Sequence, residues 1–385
     1  MLLATAALCL LPVAVLPQGA SSLPDPAPRS GLEVSAAGGP VSKLPPARVE
    51  AIEVVISDQM AGLGIPGLSV AIAHEGELVF ANGYGFADLE NLVSARADTA
   101  YRLASISKAM TAVLALRLAE QGELDLDGPV RPRCPAFPEK RWGVTPRQLL
   151  SHRGGVRHYH DGEVPMTRRY TSLEEGLSLF KDDPLEFEPG TQYLYTTYGY
   201  SLLGCAIEGV TGRPFVDMLH ESVFAPAGMT RTRPEDVRAL IPNRARGYIR
   251  VDPGILINAA LADMSYKVPG GGLSGTAPDV ARFGLALISG RLLTPESLEE
   301  MLTPADQDAG DRRGYGLGML VDEREGRREA WHGGGQEGVS TVLYFRPDGG
   351  PVVAVLTNLQ ELGPRLLALA RNIADLVVTD PHGVK

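Results

Sequence analysis

Two hairpin signatures, one near each end, limit what this chain can fold into more than any other feature. Leu68 to His74 alternates as a strand, Glu75-Gly76 supplies a turn, and Glu77 to Ala81 returns. Thr341 to Phe345, the turn Pro347-Asp348-Gly349-Gly350 and Val352 to Leu356 repeat the device near the other end. Hairpins pair antiparallel, whereas a doubly wound parallel sheet alternates strand and helix throughout. The pattern therefore predicts an α/β chain of the α+β type. One antiparallel sheet is assembled from both ends and flanked by helices, and a mostly helical lobe occupies about 122–265. Helical periodicity covers Arg48 to Gln59 and Ser107 to Glu120, the second stopped by Gly122. Thr145-Pro146-Arg147-Gln148 is a capping box with Pro at the first helical position. Gly270-Gly271-Gly272 is expected to open a loop. Helices are predicted to start at Thr276-Ala277-Pro278-Asp279 and after Pro364. No repeat of solenoid period occurs.

Composition narrows the partners. The 385 residues carry 36 Lys and Arg against 46 Asp and Glu, a net charge of −10, with no basic run. Nucleic acid is therefore not an expected partner. Lysine is scarce, at 43, 108, 140, 181, 267 and 385, so each one merits inspection. Leu2 to Leu16 is an apolar stretch too short for a typical span and suited to a signal-peptide core, although no basic residue precedes it. The expected division is a signal peptide at 1–20, a Pro-rich linker at 21–46 and one catalytic domain at 47–380. The protein is expected to be secreted or periplasmic, with no membrane span after cleavage. Cys9 lies in the leader, which leaves Cys134 and Cys205. Two cysteines make no disulfide framework, and Cys205 in its apolar run reads as a buried thiol.

Three segments carry chemistry. Ser105-Ile106-Ser107-Lys108 is an S-x-x-K at a helix start, where positions i and i+3 share a face and the helix end adds positive potential. A buried lysine beside other cations can lose its proton and serve as a base. The motif is weak alone: Ser178-Leu179-Phe180-Lys181 repeats it at the end of a helical run, where a surface pair is the plain reading. Tyr195-Thr196-Thr197 offers a tyrosine able to move protons, in a run also holding Tyr193, Tyr198 and Tyr200. Trp331-His332-Gly333-Gly334-Gly335 combines small residues, beside which a substrate can lie along a strand edge, with backbone N–H groups for an oxyanion. Taken alone, it is a glycine-rich turn.

In this order the three segments resemble the serine β-lactamase and penicillin-binding protein superfamily. Tyr101 to Lys108, Gln148 to His152, Tyr198 to Gly204 and Gly270 to Ser274 resemble its class C-like hydrolase branch. Ser151 to Tyr159 and Tyr195-Thr196-Thr197 are most similar to the mitochondrial β-lactamase-like serine protease and its bacterial relatives. The resemblance spans about 47–380 and implies a β-lactamase/transpeptidase-like fold. It implies Ser105 as the acylated nucleophile, Lys108 as its base and Tyr195 as the proton shuttle. The N–H groups of Ser105 and Gly335 would form the oxyanion hole, with Thr197, His332 and Gly334 at the substrate. No cofactor and no metal are implied.

Two departures bear on the substrate. Thr197 stands where the family usually has an Asn, so it offers a hydroxyl without an amide. His332 stands where β-lactamases carry a permanent cation, and a histidine is mostly neutral at pH 7. Both favour peptide or ester substrates over β-lactams. The alternatives are a D-alanyl-D-alanine carboxypeptidase, a weak β-lactamase or, from another class, a non-catalytic peptide or cell-wall binding module. The lipase reading of His332 to Gly335 fails for want of a G-x-S-x-G elbow. His152, His158, His160 and Asp161 cluster without a recognised metal spacing. Oligomeric state is not legible.

Overall fold

The computed structural model describes residues 40–305 and 314–378. Among these, nine strands form the main sheet. They are β1 (Val41–Ser42), β2 (Gly67–His74), β3 (Glu77–Asp88), β4 (Val93–Ser94), β5 (Gly314–Tyr315), β6 (Leu320–Arg324), β7 (Arg327–Gln336), β8 (Val339–Phe345) and β9 (Val352–Thr357). The order is β1-β3-β2-β9-β8-β7-β6-β5, with β4 on β3 and every pair antiparallel. The two hairpins predicted from sequence meet where β9 pairs with β2, Val355 opposite Val70.

Five longer helices complete the frame: α1 (Pro46–Leu63), α2 (Ile106–Glu120), α3 (Thr197–Thr211), α4 (Ala277–Ile288) and α5 (Gly363–Val378). Alternation along β9 sorts the layers. Val353 and Val355 join the cluster of Ile52, Ile56, Leu366 and Ile373 from α1 and α5. Val352, Ala354 and Leu356 belong to the cluster on the other face, with α2 and α4. Because α2 is buried on every side from Ile106 to Leu116, it is apolar all round rather than striped. None of the helices, among the described residues, is long and apolar enough to cross a membrane.

Several expectations are corrected. Cys134 and Cys205 are joined in a disulfide, with Cα atoms 5.5 Å apart, so Cys205 is not a free buried thiol. Seventy-one positions separate them in sequence, and packing brings them together. A side chain at Gly209 would collide with the Arg133 carbonyl, so that glycine lets the Cys134 segment settle onto α3. Gly270 to Gly272 do not open a loop. Val268–Gly271 is a helical turn, and Leu273–Gly275 is a strand between Tyr101–Arg102 and Arg233–Pro234. The glycines serve close approach: a Cβ on Gly270 would lie 2.7 Å from Thr197 Cγ2, and one on Gly272 2.6 Å from the Met264 carbonyl. The helical lobe also carries an unexpected hairpin, Tyr248–Asp252 with Ile255–Asn258. The expected linker ends early, since Val41 and Ser42 pair with β3 and α1 starts at Pro46. The expected leader and the linker up to residue 39 lie outside the described residues.

Candidate active site

Ser105 sits just before the first residue of α2. Of residues 103–116 it is the one that is not buried. Its predecessor Ala104 has φ +49°, a left-handed conformation costing a non-glycine residue roughly 1–2 kcal/mol. Three bonds hold this strained turn. The Leu103 N–H donates to the Leu273 carbonyl at 2.8 Å, the Thr341 hydroxyl to the Leu103 carbonyl at 2.9 Å, and the Ser107 hydroxyl to the Ala104 carbonyl at 2.7 Å.

Lys108 follows one helical turn later and is fully buried. Its Nζ donates to Ser105 Oγ at 3.1 Å, to Thr197 Oγ1 at 3.1 Å and to the Gly270 carbonyl at 2.6 Å. All three acceptors are uncharged, and no carboxylate pairs with Lys108 among the described residues. Burial, and then repulsion from Lys267, hold Lys108 well below the ordinary lysine pKa. The Tyr195 ring lies 4.8 Å from Nζ and the Tyr200 ring 5.6 Å.

Tyr195 ends an extended segment that leads into α3. Thr196 caps that helix, its hydroxyl accepting the Gly199 N–H at 3.3 Å. His152 braces the segment from behind. Its Nδ1 accepts the Thr196 N–H at 3.1 Å, its carbonyl accepts the Leu194 N–H at 2.9 Å, and its ring packs 4.2 Å from that of Tyr195. Burial drives His152 well below the usual histidine pKa, with Lys108, His332 and His158 adding repulsion. Burial also raises the Tyr195 phenol above its ordinary value, opposed by a hydrogen bond with Ser105. The phenol is therefore a proton donor at neutral pH.

The third segment lies within β7. Pairing with β6 stops at Trp331, so along His332 to Gln336 one strand edge is unpaired among the described residues. Gly334 faces the nucleophile's turn: a Cβ there would lie 2.6 Å from the Leu103 carbonyl and 3.0 Å from Ala104 Cβ. Its bare backbone lets β7 sit against that turn. The next residue, Gly335, is exposed, and a Cβ on it would meet nothing within 4 Å. His332 is buried with both ring nitrogens in use. Because the Gly333 carbonyl only accepts, Nδ1 donates to it at 2.7 Å, and Nε2 accepts from the Tyr315 hydroxyl at 2.9 Å. Burial, then Lys108, lower His332 to a pKa of about 3, so the ring is neutral.

The fold thus brings Ser105, Lys108, Tyr195 and Thr197 together, with Gly334 beside them. Ser178 lies apart: it ends the helix Leu173–Leu177 and donates to the Glu175 carbonyl at 2.7 Å. Sequence reading missed the bracing by His152, the Gly270 carbonyl, Tyr315 and His158. His158 Nδ1 accepts the Thr197 N–H at 3.2 Å. In the sequence His152 and His158 stand out as members of family-like segments and of a histidine cluster, neither of which shows that they brace the Tyr195–Thr197 backbone; no metal-holding group of His, Cys, Asp or Glu occurs among the described residues.

The family model for Beta-lactamase matches residues 52–378. The chain belongs to the β-lactamase family. Within these serine hydrolases it is 30% identical to the human mitochondrial serine β-lactamase-like protein LACTB, over 80% of this chain and 76% of that one. Penicillin-binding protein 4* of Bacillus subtilis (strain 168) is 29% identical over 82% of this chain and 73% of its own length. The solved structure of EstCE1, a hydrolase with promiscuous acyltransferase activity, superposes with a TM-score of 0.74 at 25% identity, covering 86% of this chain and 99% of that one. The fold is that of the β-lactamases and transpeptidases.

Proposed function

We propose that this β-lactamase-family hydrolase cleaves ester or peptide (amide) substrates through an acyl-enzyme on Ser105. The observation that carries the reading is Lys108 Nζ, buried, without a carboxylate partner and 3.1 Å from Ser105 Oγ. A lysine so placed gives up its own proton more readily than usual and takes the hydroxyl proton as Oγ attacks the carbonyl carbon. The carbonyl electrons move to oxygen, and the N–H groups of Ser105 and Gly335 receive that charge. Tyr195 delivers a proton to the departing amine or alcohol and is refilled from Lys108. Water then attacks the ester carbon, its proton leaves by the same relay, and Ser105 is regenerated.

His332, neutral with both nitrogens engaged, offers no cation to a carboxylate on the leaving group. This favours simple esters and amides over β-lactams and over a D-alanyl-D-alanine carboxypeptidase. Export from the reducing cytoplasm is part of the proposal, and the Cys134–Cys205 disulfide supports it.

The test is fluorophosphonate labelling with peptide mapping. Label is expected on Ser105, with label and ester hydrolysis both lost in Ser105→Ala and kept in Ser178→Ala. Absence of label and turnover in folded protein would leave the binding-module reading. Label on Ser178 or Ser274 would mean that the nucleophile is misassigned.

A further inference from the structure

Lys267 has no place in the chemistry above, yet it is 3% exposed. Among the described residues no carboxylate lies within ion-pair distance of its Nζ, and no hydrogen bond leaves it. Its Nζ lies over the rings of Tyr159 and Tyr266, 5.3 Å from each ring centre. Aromatic faces attract a cation without neutralising it, and a buried unpaired charge is costly. Lys267 is close enough to the site to repel both Lys108 and His158.

A second unsatisfied donor stands beside it. Gln336 Nε2 is buried without a hydrogen-bond partner. Both side chains border Gly271, where a Cβ would lie 3.7 Å from Lys267 Cδ, 3.8 Å from Gln336 Oε1 and 3.9 Å from the Ala104 carbonyl carbon. Lys267 and Gln336 thus border one glycine next to the turn that carries Ser105, each with a donor group that has no hydrogen-bond partner among the described residues. An ionised carboxylate, which only accepts hydrogen bonds, matches both.

Direction along β7, taken with the mechanism proposed above, assigns this end of a substrate. With the scissile carbonyl at Gly335, His332 lies toward one end of the unpaired edge and Gln336 toward the other. Tyr195, which serves the leaving group, has its ring 6.4 Å from that of His332. On that assignment Gln336, with Lys267 on the same glycine, lies on the acyl side.

We propose that Lys267 and Gln336 form a carboxylate-binding subsite that selects acyl groups bearing an anionic carboxylate a few bonds from the scissile carbonyl. The class comprises half-esters and half-amides of dicarboxylic acids and acidic acyl peptides. The inference rests on Ser105 being the nucleophile.

The test compares mono-p-nitrophenyl adipate with its methyl ester, as the ratio of kcat/KM values. Wild type is expected to prefer the anion by about tenfold or more, the size of one charge-assisted hydrogen bond. Lys267→Met should abolish the preference, and Lys267→Arg, which keeps the charge, should retain most of it. An equal ratio in wild type and Lys267→Met overturns the subsite. Should Lys267→Met fail to fold, Gln336→Leu carries the test: a reduced ratio supports the subsite and an unchanged one overturns it. A neutral fluorophosphonate separates the two readings. Label on Ser105 with a ratio indifferent to Lys267 defeats the subsite alone, whereas no label on Ser105 defeats both.

Discussion

Two adjacent glycines on β7 are expected to answer substitution in opposite ways. At Gly334 an added methyl would lie 2.6 Å from the Leu103 carbonyl oxygen, in contact with the Thr341 hydroxyl as well. Strand and turn must part by about 0.4 Å before the Leu103 contact even reaches 3.0 Å, a separation that packed Cβ atoms essentially never go below. The Thr341 hydroxyl cannot yield freely, because it holds the Leu103 carbonyl. Overpacking of this kind costs about 1–3 kcal/mol. The displaced element is the turn at Ala104, so the nucleophile moves relative to Lys108 and the oxyanion donors. Misplacement approaching 1 Å costs up to about a hundredfold in rate. At Gly335 a methyl meets nothing within 4 Å, so Gly335→Ala should leave stability unchanged. The assay is chemical denaturation together with the rate of fluorophosphonate labelling of Ser105. Gly334→Ala should unfold at lower denaturant and label at least tenfold more slowly. Wild-type stability and labelling in Gly334→Ala would refute the argument that β7 rests on the nucleophile's turn.

Three other expectations follow from the same geometry. Lys108→Arg keeps a cation that cannot release its proton, so acylation should fall by several orders of magnitude. In wild type the acid limb of kcat/KM should lie well below the ordinary lysine pKa, because burial and Lys267 depress Lys108; a limb at the ordinary value would contradict the assignment. His332 and His158 are lowered to about 3 and about 4 by burial, whereas unfolded histidine titrates near 6.5. The unfolded chain therefore binds more protons as pH falls below about 6.5, and the stability these rings contribute is lost toward pH 3–4. The loss is at most about 1.4 kcal/mol per pH unit for each ring. Urea midpoints at pH 7 and pH 5 should show it, with a smaller drop in His332→Asn, and equal drops would disprove the contribution. Reduction of Cys134–Cys205, which closes a loop across 71 positions, should cost about 4 kcal/mol by chain entropy. An unfolding midpoint indifferent to reductant would show that the bond does not constrain the chain.

What the sequence determined by itself was local or periodic. Alternation in Leu68 to Ala81 and Thr341 to Leu356 predicts antiparallel hairpins, and the Thr145 capping box marks a helix start that the structure bears. The Ser105–Lys108 spacing is a property of one helical turn, so their contact could be anticipated. Tertiary packing decided everything that required distant segments to meet. The joining of Cys134 to Cys205 depends on how the segment after α2 lies on α3. The glycines at 270, 272 and 334 are adapted to contacts with other segments, and sequence alone cannot distinguish them from loop glycines. His332 is neutral because Tyr315 and the Gly333 carbonyl occupy its nitrogens inside a buried site. Lys267 is one of only six lysines, but that it lies buried near Lys108 with no carboxylate partner among the described residues is decided by the tertiary structure. Burial, more than residue identity, sets the charge of these groups, and burial is a property of the assembled layers.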